Sequence, residues 1–119
     1  MDKIYLDNAA TTPLAEEVID AMVQVMKVNY GNPSSTHSLG QEAKILIENV
    51  RREVADYLHV SPSEIIFTSC GTESNNMIIK SCVNHLGVER IISSPMEHKC
   101  VAETVLDMKK RKGVEVVYL

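Results

Sequence analysis

A chain of 119 residues with 45% hydrophobic and 24% charged side chains has the makeup of one globular domain, which excludes disordered, fibrous and disulfide-scaffold classes. Its formal net charge of -4 disfavours nucleic acid or an anionic membrane surface as the main partner and leaves a small ligand as the expectation. The three cysteines, Cys70, Cys82 and Cys100, are too widely spaced for a CxxC pair and read as free thiols of a reducing, cytoplasmic setting; no stretch reaches membrane-spanning length, and Met1-Asp2-Lys3 opens no leader-like segment.

After a short extended opening, Thr12-Pro13 with Glu16 and Glu17 predicts a helix start, because proline suits the first helical position and carboxylates suit the first turn. That helix runs to about Val28 and carries Val18, Met22, Val25 and Met26 on one face. The turn-forming stretch Gly31-Asn32-Pro33-Ser34-Ser35-Thr36-His37 separates it from a second helix. Ser38-Leu39-Gly40-Gln41 matches a capping box, and Ala43, Ile47, Val50, Val54 and Leu58 trace the apolar stripe that follows. The cap signature recurs in a short turn at Ser61-Pro62-Ser63-Glu64.

Next comes an apolar run, Ile65-Ile66-Phe67-Thr68-Ser69, read as a strand that turns through Cys70 and Gly71 into a helix over roughly 72 to 86. Arg90-Ile91-Ile92-Ser93 repeats the pattern and leads through Ser94-Pro95-Met96-Glu97-His98 into a helix over 99 to 112. Gly87 and Gly113 stop the two helices, and Lys109-Lys110-Arg111-Lys112 reads as charge complementing a helix C-terminus on a solvated face. Val114 to Leu119 forms the last predicted strand. Two helices followed by β-α-β-α-β predict an α/β layer architecture with largely parallel strands. A parallel sheet normally has both faces covered, so an ending on a strand reads as an incomplete domain.

Both strand-to-helix junctions carry chemistry. At the first, the free N–H groups of the helix's opening turn make an anion seat that Gly71 leaves accessible, with the Thr72 hydroxyl as a further donor. At the second, His98 falls on a comparable edge, beyond the carboxyl end of its strand, where ligands of parallel α/β sheets collect. Read alone, Gly71-Thr72 is ordinary capping and His98 an exposed polar residue; their shared position makes them candidates. A zinc site at His98 and Cys100 is disfavoured, since side chains two apart on a helix diverge by about 200° and no second ligand cluster appears. Cys70 reads as packed beside the strand end. With neither Gly-x-Gly-x-x-Gly nor a Walker sequence, the best-fitting cofactor carries one phosphate on a flat heteroaromatic ring, as pyridoxal phosphate does.

Taken in register, Tyr5-Leu6-Asp7-Asn8-Ala9-Ala10-Thr11-Thr12-Pro13, Tyr30-Gly31-Asn32-Pro33-Ser34-Ser35 and the two junctions resemble cysteine desulfurases of the class V aminotransferase group. The resemblance spans the chain but only about the first third of such an enzyme. It implies a single incomplete domain over 1–119, with 1–37 as N-terminal segment and first helix and 38–119 as the start of a three-layer α/β/α cofactor-binding domain. It further implies that Gly71 and Thr72 bind the phosphate of pyridoxal phosphate and that His98 stacks on its ring and assists proton transfer. Cys100 stands where alanine often follows in relatives, and Gly71 replaces a frequent alanine. The Schiff-base lysine, the aspartate on the ring nitrogen and the nucleophilic cysteine of the family fall outside this stretch.

The implied reaction converts L-cysteine to L-alanine and leaves persulfide sulfur for transfer, as for iron–sulfur cluster assembly. A homodimer or a complementing C-terminal chain, and a sulfur-acceptor or scaffold protein, are the implied partners. Alternative readings are another class V aminotransferase, a selenocysteine lyase, or a non-catalytic partner module. Strands whose neighbours are missing further predict a chain that is marginal as a monomer.

Overall fold

The computed structural model describes residues 4–119, so Met1-Asp2-Lys3 lies outside the described residues. Its backbone contacts divide into two compact units, one up to Ile65 and one from Ile66.

In the first unit, Asp7 closes a turn by accepting the Ala10 N–H at 3.1 Å. Helix α1 (Glu16–Val28) begins after the predicted Pro13, because Glu16 and Glu17 fill its first turn while Ala15 supplies an extended N-cap without a side-chain cap. Helix α2 (Ser38–Leu58) also departs from the predicted box. Its N-cap is His37, whose Nδ1 accepts the Gly40 N–H at 3.4 Å, and the Gln41 amide instead donates to the Thr36 carbonyl at 3.0 Å. Gly40 is required for packing: a Cβ there would lie 2.5 Å from the Asn32 carbonyl oxygen and 2.6 Å from that of Ser35. The Gly31–His37 loop therefore lies directly on the opening turn of α2, and Asn32 holds it by accepting the N–H groups of Ser34 and Ser35, each at 2.9 Å. A 3₁₀ turn (Pro62–Glu64) forms the predicted capping box, with the Ser61 N–H donating to Glu64 Oε2 at 2.8 Å. Arg51 fastens the following segment to α2 by donating to the Ile65 carbonyl.

In the second unit, α3 (Gly71–His85) and α4 (Lys99–Lys112) pack together and frame a parallel pair, β1 (Arg90–Ser93) and β2 (Glu115–Tyr118), in the register Arg90↔Glu115 to Ser93↔Tyr118. The core of this unit is Val105, Met108 and Val114, with the buried Thr104 hydroxyl donating to the Cys100 carbonyl at 2.7 Å. Gly113 ends α4 in the left-handed conformation at φ 71°, where a glycine has no Cβ to clash. The basic run occupies the last turn of α4 as predicted, and Arg111 also pairs with Asp107 at 2.6 Å.

One predicted strand is not formed. The stretch from Ile65 to Thr68 belongs to no ladder among the described residues, so β-α-β-α-β reduces to α3-β1-α4-β2 here. A strand exists only through backbone pairing, and β1 and β2 pair with each other. Ile66 and Phe67 are left exposed, as are Val18, Met22, Val25 and Met26 of the α1 stripe. No described helix is long and apolar enough to cross a membrane.

Two outcomes are expected. Gly40→Ala destabilises the chain by about 2–4 kcal/mol in urea unfolding, as overpacking against backbone does, whereas Gly71→Ala, whose Cβ would meet nothing within 4 Å, is neutral or stabilising. In sedimentation velocity the 119-residue chain self-associates with rising concentration through its exposed apolar residues; a monodisperse, cooperatively unfolding monomer is the opposing result.

Candidate functional site

Helix α3 opens with its first N–H groups outside the helix ladder. Its N-cap, Cys70, has extended backbone and makes no side-chain cap, and the helix ladder begins only where Ser74 donates to the Cys70 carbonyl at 3.2 Å. The N–H groups of Gly71, Thr72 and Glu73 thus emerge at the positive end of the helix dipole. The nearest carboxylate is drawn aside: Glu73 Oε2 accepts both the N–H and the hydroxyl of Ser69, each at 2.7 Å. Those two bonds hold the Glu73 carboxyl below the usual carboxylate range. Cys70, predicted as packed, is exposed, because the N-cap stands at an open helix end. Its thiol is drawn below its ordinary value chiefly by the Glu73 N–H, with help from the Ser69 hydroxyl and the Thr72 N–H.

Helix α4 opens differently. His98 is its N-cap, and Nδ1 accepts the Cys100 N–H at 3.2 Å while lying 3.0 Å from Cys100 Sγ. A neutral imidazole bound this way carries its proton on Nε2. From α3, Asn75 Nδ2 donates to the same sulfur at 3.3 Å. The Asn75 amide first, and His98 second, hold the Cys100 thiol below its ordinary value. The expected divergence of His98 and Cys100 is corrected: His98 stands outside the helix with ψ 144°, so the 100° spacing of helical side chains does not separate the pair. No group of three or more metal-ligating side chains occurs among the described residues.

These two helix starts share a cleft of about 340 Å³ lined by Cys70, Gly71, Thr72, Asn75, His98 and Cys100. All three candidate residues, Gly71, Thr72 and His98, therefore line one cavity, and Thr72 and His98 also border an adjoining groove between α3 and α4 that includes Lys80, Lys99 and Glu103. Backbone donors, a hydroxyl and an imidazole together suit a phosphate joined to a flat ring. The sequence reading missed Asn75. Its signal was its place three residues after Thr72, on the same helical face.

Because Glu73 is held below its ordinary value of about 4.3, its contribution to stability is present above that pH and is lost as the pH falls through the folded-state value. Glu73→Gln, which keeps an acceptor but no titrating charge, is expected to remove that part of the acid-side slope when urea midpoints are measured against pH.

Against known proteins, the chain is 45% identical over 119 residues to the cysteine desulfurase IscS of Dictyoglomus turgidum, covering 98% of this chain and 30% of that protein. It is equally 45% identical over 119 residues to the mitochondrial cysteine desulfurase of Saccharomyces cerevisiae, covering 98% of this chain and 24% of that one. Among solved structures, a NifS-like protein superposes with a TM-score of 0.82 at 43% identity over 94% of this chain and 31% of its own. SspA in complex with cysteine gives 0.80 at 37% identity over 93% of this chain and 32% of its own. The chain thus spans 30% or less of the length of these two curated relatives. The class-V aminotransferase family matches residues 4–119, and the chain belongs to that family.

Proposed function

We propose that this chain forms one wall of the active site of a pyridoxal-phosphate-dependent cysteine desulfurase. The observation that carries the reading is the cleft in which the opening turn of α3, the Thr72 hydroxyl and the His98 imidazole meet. Its donor set fits the cofactor. Space for a Cβ at Gly71 is open to 4 Å, so an anion can approach the backbone there, and the Glu73 carboxylate is bound to Ser69. The names of the relatives support the activity, and the neighbour solved with cysteine supports L-cysteine as substrate.

In this reading Gly71 and Thr72 hold the phosphate, and His98 lies against the ring. When bound, pyridoxal phosphate supplies an electron-withdrawing ring that weakens bonds at the substrate's α-carbon. The residues of this chain contribute binding, orientation and proton handling. With Nδ1 fixed by the Cys100 N–H, His98 presents Nε2 as the atom that gives or takes a proton. The remaining groups of the reaction come from elsewhere in the enzyme, in a homodimer or with a complementing chain. The sulfur passes to an acceptor or scaffold protein, as in iron–sulfur cluster assembly, in the cytoplasm.

The test is a calorimetric titration with pyridoxamine phosphate, which has the cofactor's ring and phosphate but no aldehyde to react with surface lysines. Saturable binding to the 119-residue chain is expected. Thr72→Ala weakens it about tenfold, the worth of a lost hydrogen bond to a charged group. His98→Asn, which keeps a capping side chain but removes the ring, weakens it as well. Binding indifferent to both substitutions overturns the assignment of these residues, while L-cysteine desulfuration by the intact enzyme tests the activity separately.

A further inference from the structure

The segment that delivers Cys70, Gly71 and Thr72 to the cleft is fastened to α3 by side chains. From Ile65 to Thr68 the backbone joins no ladder among the described residues, so no strand bonds fix its course. Two clasps tie its end to the opening of α3 instead. Glu73 Oε2 accepts both the N–H and the hydroxyl of Ser69, each at 2.7 Å, and Thr68 Oγ1 lies 2.7 Å from Ser74 Oγ. Of the two, the Glu73 clasp holds the main chain itself, through the N–H of the residue two before Gly71. Charge toward a ligand does not explain Glu73. A carboxylate in the first turn suits the helix dipole but repels an anion seated at the same helix end. Gly71, Thr72 and Asn75 line the cleft, whereas Glu73, which stands between Thr72 and Asn75 in sequence, lines neither the cleft nor the adjoining groove. What its side chain supplies is reach to Ser69.

We propose that Glu73 is a positioning residue of the phosphate seat: by holding Ser69 through both of its donors, it sets the turn from Ser69 to Gly71 so that Gly71 and Thr72 face the cleft. The role rests on the proposed reading of Gly71 and Thr72 as that seat, and Glu73 itself touches no ligand. Its two bonds do the work that a neighbouring strand does in a fuller sheet, where ladder hydrogen bonds fix the end of the segment entering a helix. The carboxylate also serves the seat by being turned away from it, since a donor pair on Ser69 draws the negative charge off the side on which an anion sits.

The experiment titrates the 119-residue chain calorimetrically with pyridoxamine phosphate and with pyridoxamine, which differ only by the phosphate, so the ratio of their affinities reports the seat. Two substitutions separate reach from charge. Glu73→Gln keeps the reach and loses the charge, while Glu73→Asp keeps the charge at the helix start but is one methylene too short to hold both Ser69 donors. The ratio is expected to stay within about twofold of wild type in Glu73→Gln and to fall about fivefold or more in Glu73→Asp, the worth of a hydrogen bond lost from the seat. A carboxylate that only repels the ligand gives the opposite pattern, a raised ratio in Glu73→Gln and an unchanged one in Glu73→Asp, and overturns the proposal. So does a Glu73→Asp chain that loses stability in urea yet keeps the wild-type ratio. A wild-type preference for the phosphate that is lost in Thr72→Ala but kept in Glu73→Asp removes the role of Glu73 alone, whereas a wild type with no such preference overturns the seat and this role with it.

Discussion

The packing of α3 on α4 is the constraint on which this molecule's chemistry depends. Each helix begins directly after an irregular or extended segment, and their pairing sets the two beginnings side by side, close enough for Asn75 of one to reach the Cys100 sulfur of the other. The core residues Val105 and Met108 lie on α4, and the buried Thr104 joins them. Helix α4 therefore acts as the keel of its unit: burial along its length determines where its first turn stands. The strand pair contributes from the other side. By pairing residue for residue, β1 and β2 fix the ends of the segments that enter and leave α4.

Charge is arranged locally against the chain's overall sign. A protein of net charge -4 has no general attraction for anions, so an anion seat has to be made from backbone. In the proposed reading the first turn of α3 does this with N–H groups, while the Glu73 carboxylate is bound to Ser69. The Cys70 thiol responds to the same N–H groups, an internal indicator of the local field.

Much of this was legible in the sequence. Helix periodicity, the two glycine stops and the apolar runs of β1 and β2 are local signals, and the structure places α2, α3, α4, β1 and β2 within a residue or so of the prediction, while α1 starts three residues after Pro13. Gly71, Thr72 and His98 are candidates because helix starts after apolar runs can be read from composition, and they do line one cleft. What failed depended on partners or on cap geometry. The run from Ile65 to Thr68 has the pattern of a strand, but pattern does not supply a neighbour. Ser38 with Gln41 has the spelling of a capping box, yet His37 takes the role because its ring reaches the Gly40 N–H. His98 and Cys100 were kept apart by a helical periodicity that does not extend to the N-cap.

His98 performs two tasks with one ring. Through Nδ1 it satisfies a backbone donor at the start of α4, and through its remaining edge it borders the cleft. In the proposed reading, folding and chemistry are therefore entangled at this position. A substitution there that spares the helix is limited to short polar side chains that cap well but have no ring, and one that spares the ring's chemistry has no natural candidate at all. In that reading a substitution at residue 98 costs twice, once in the cap of α4 and once in the ring that borders the cleft.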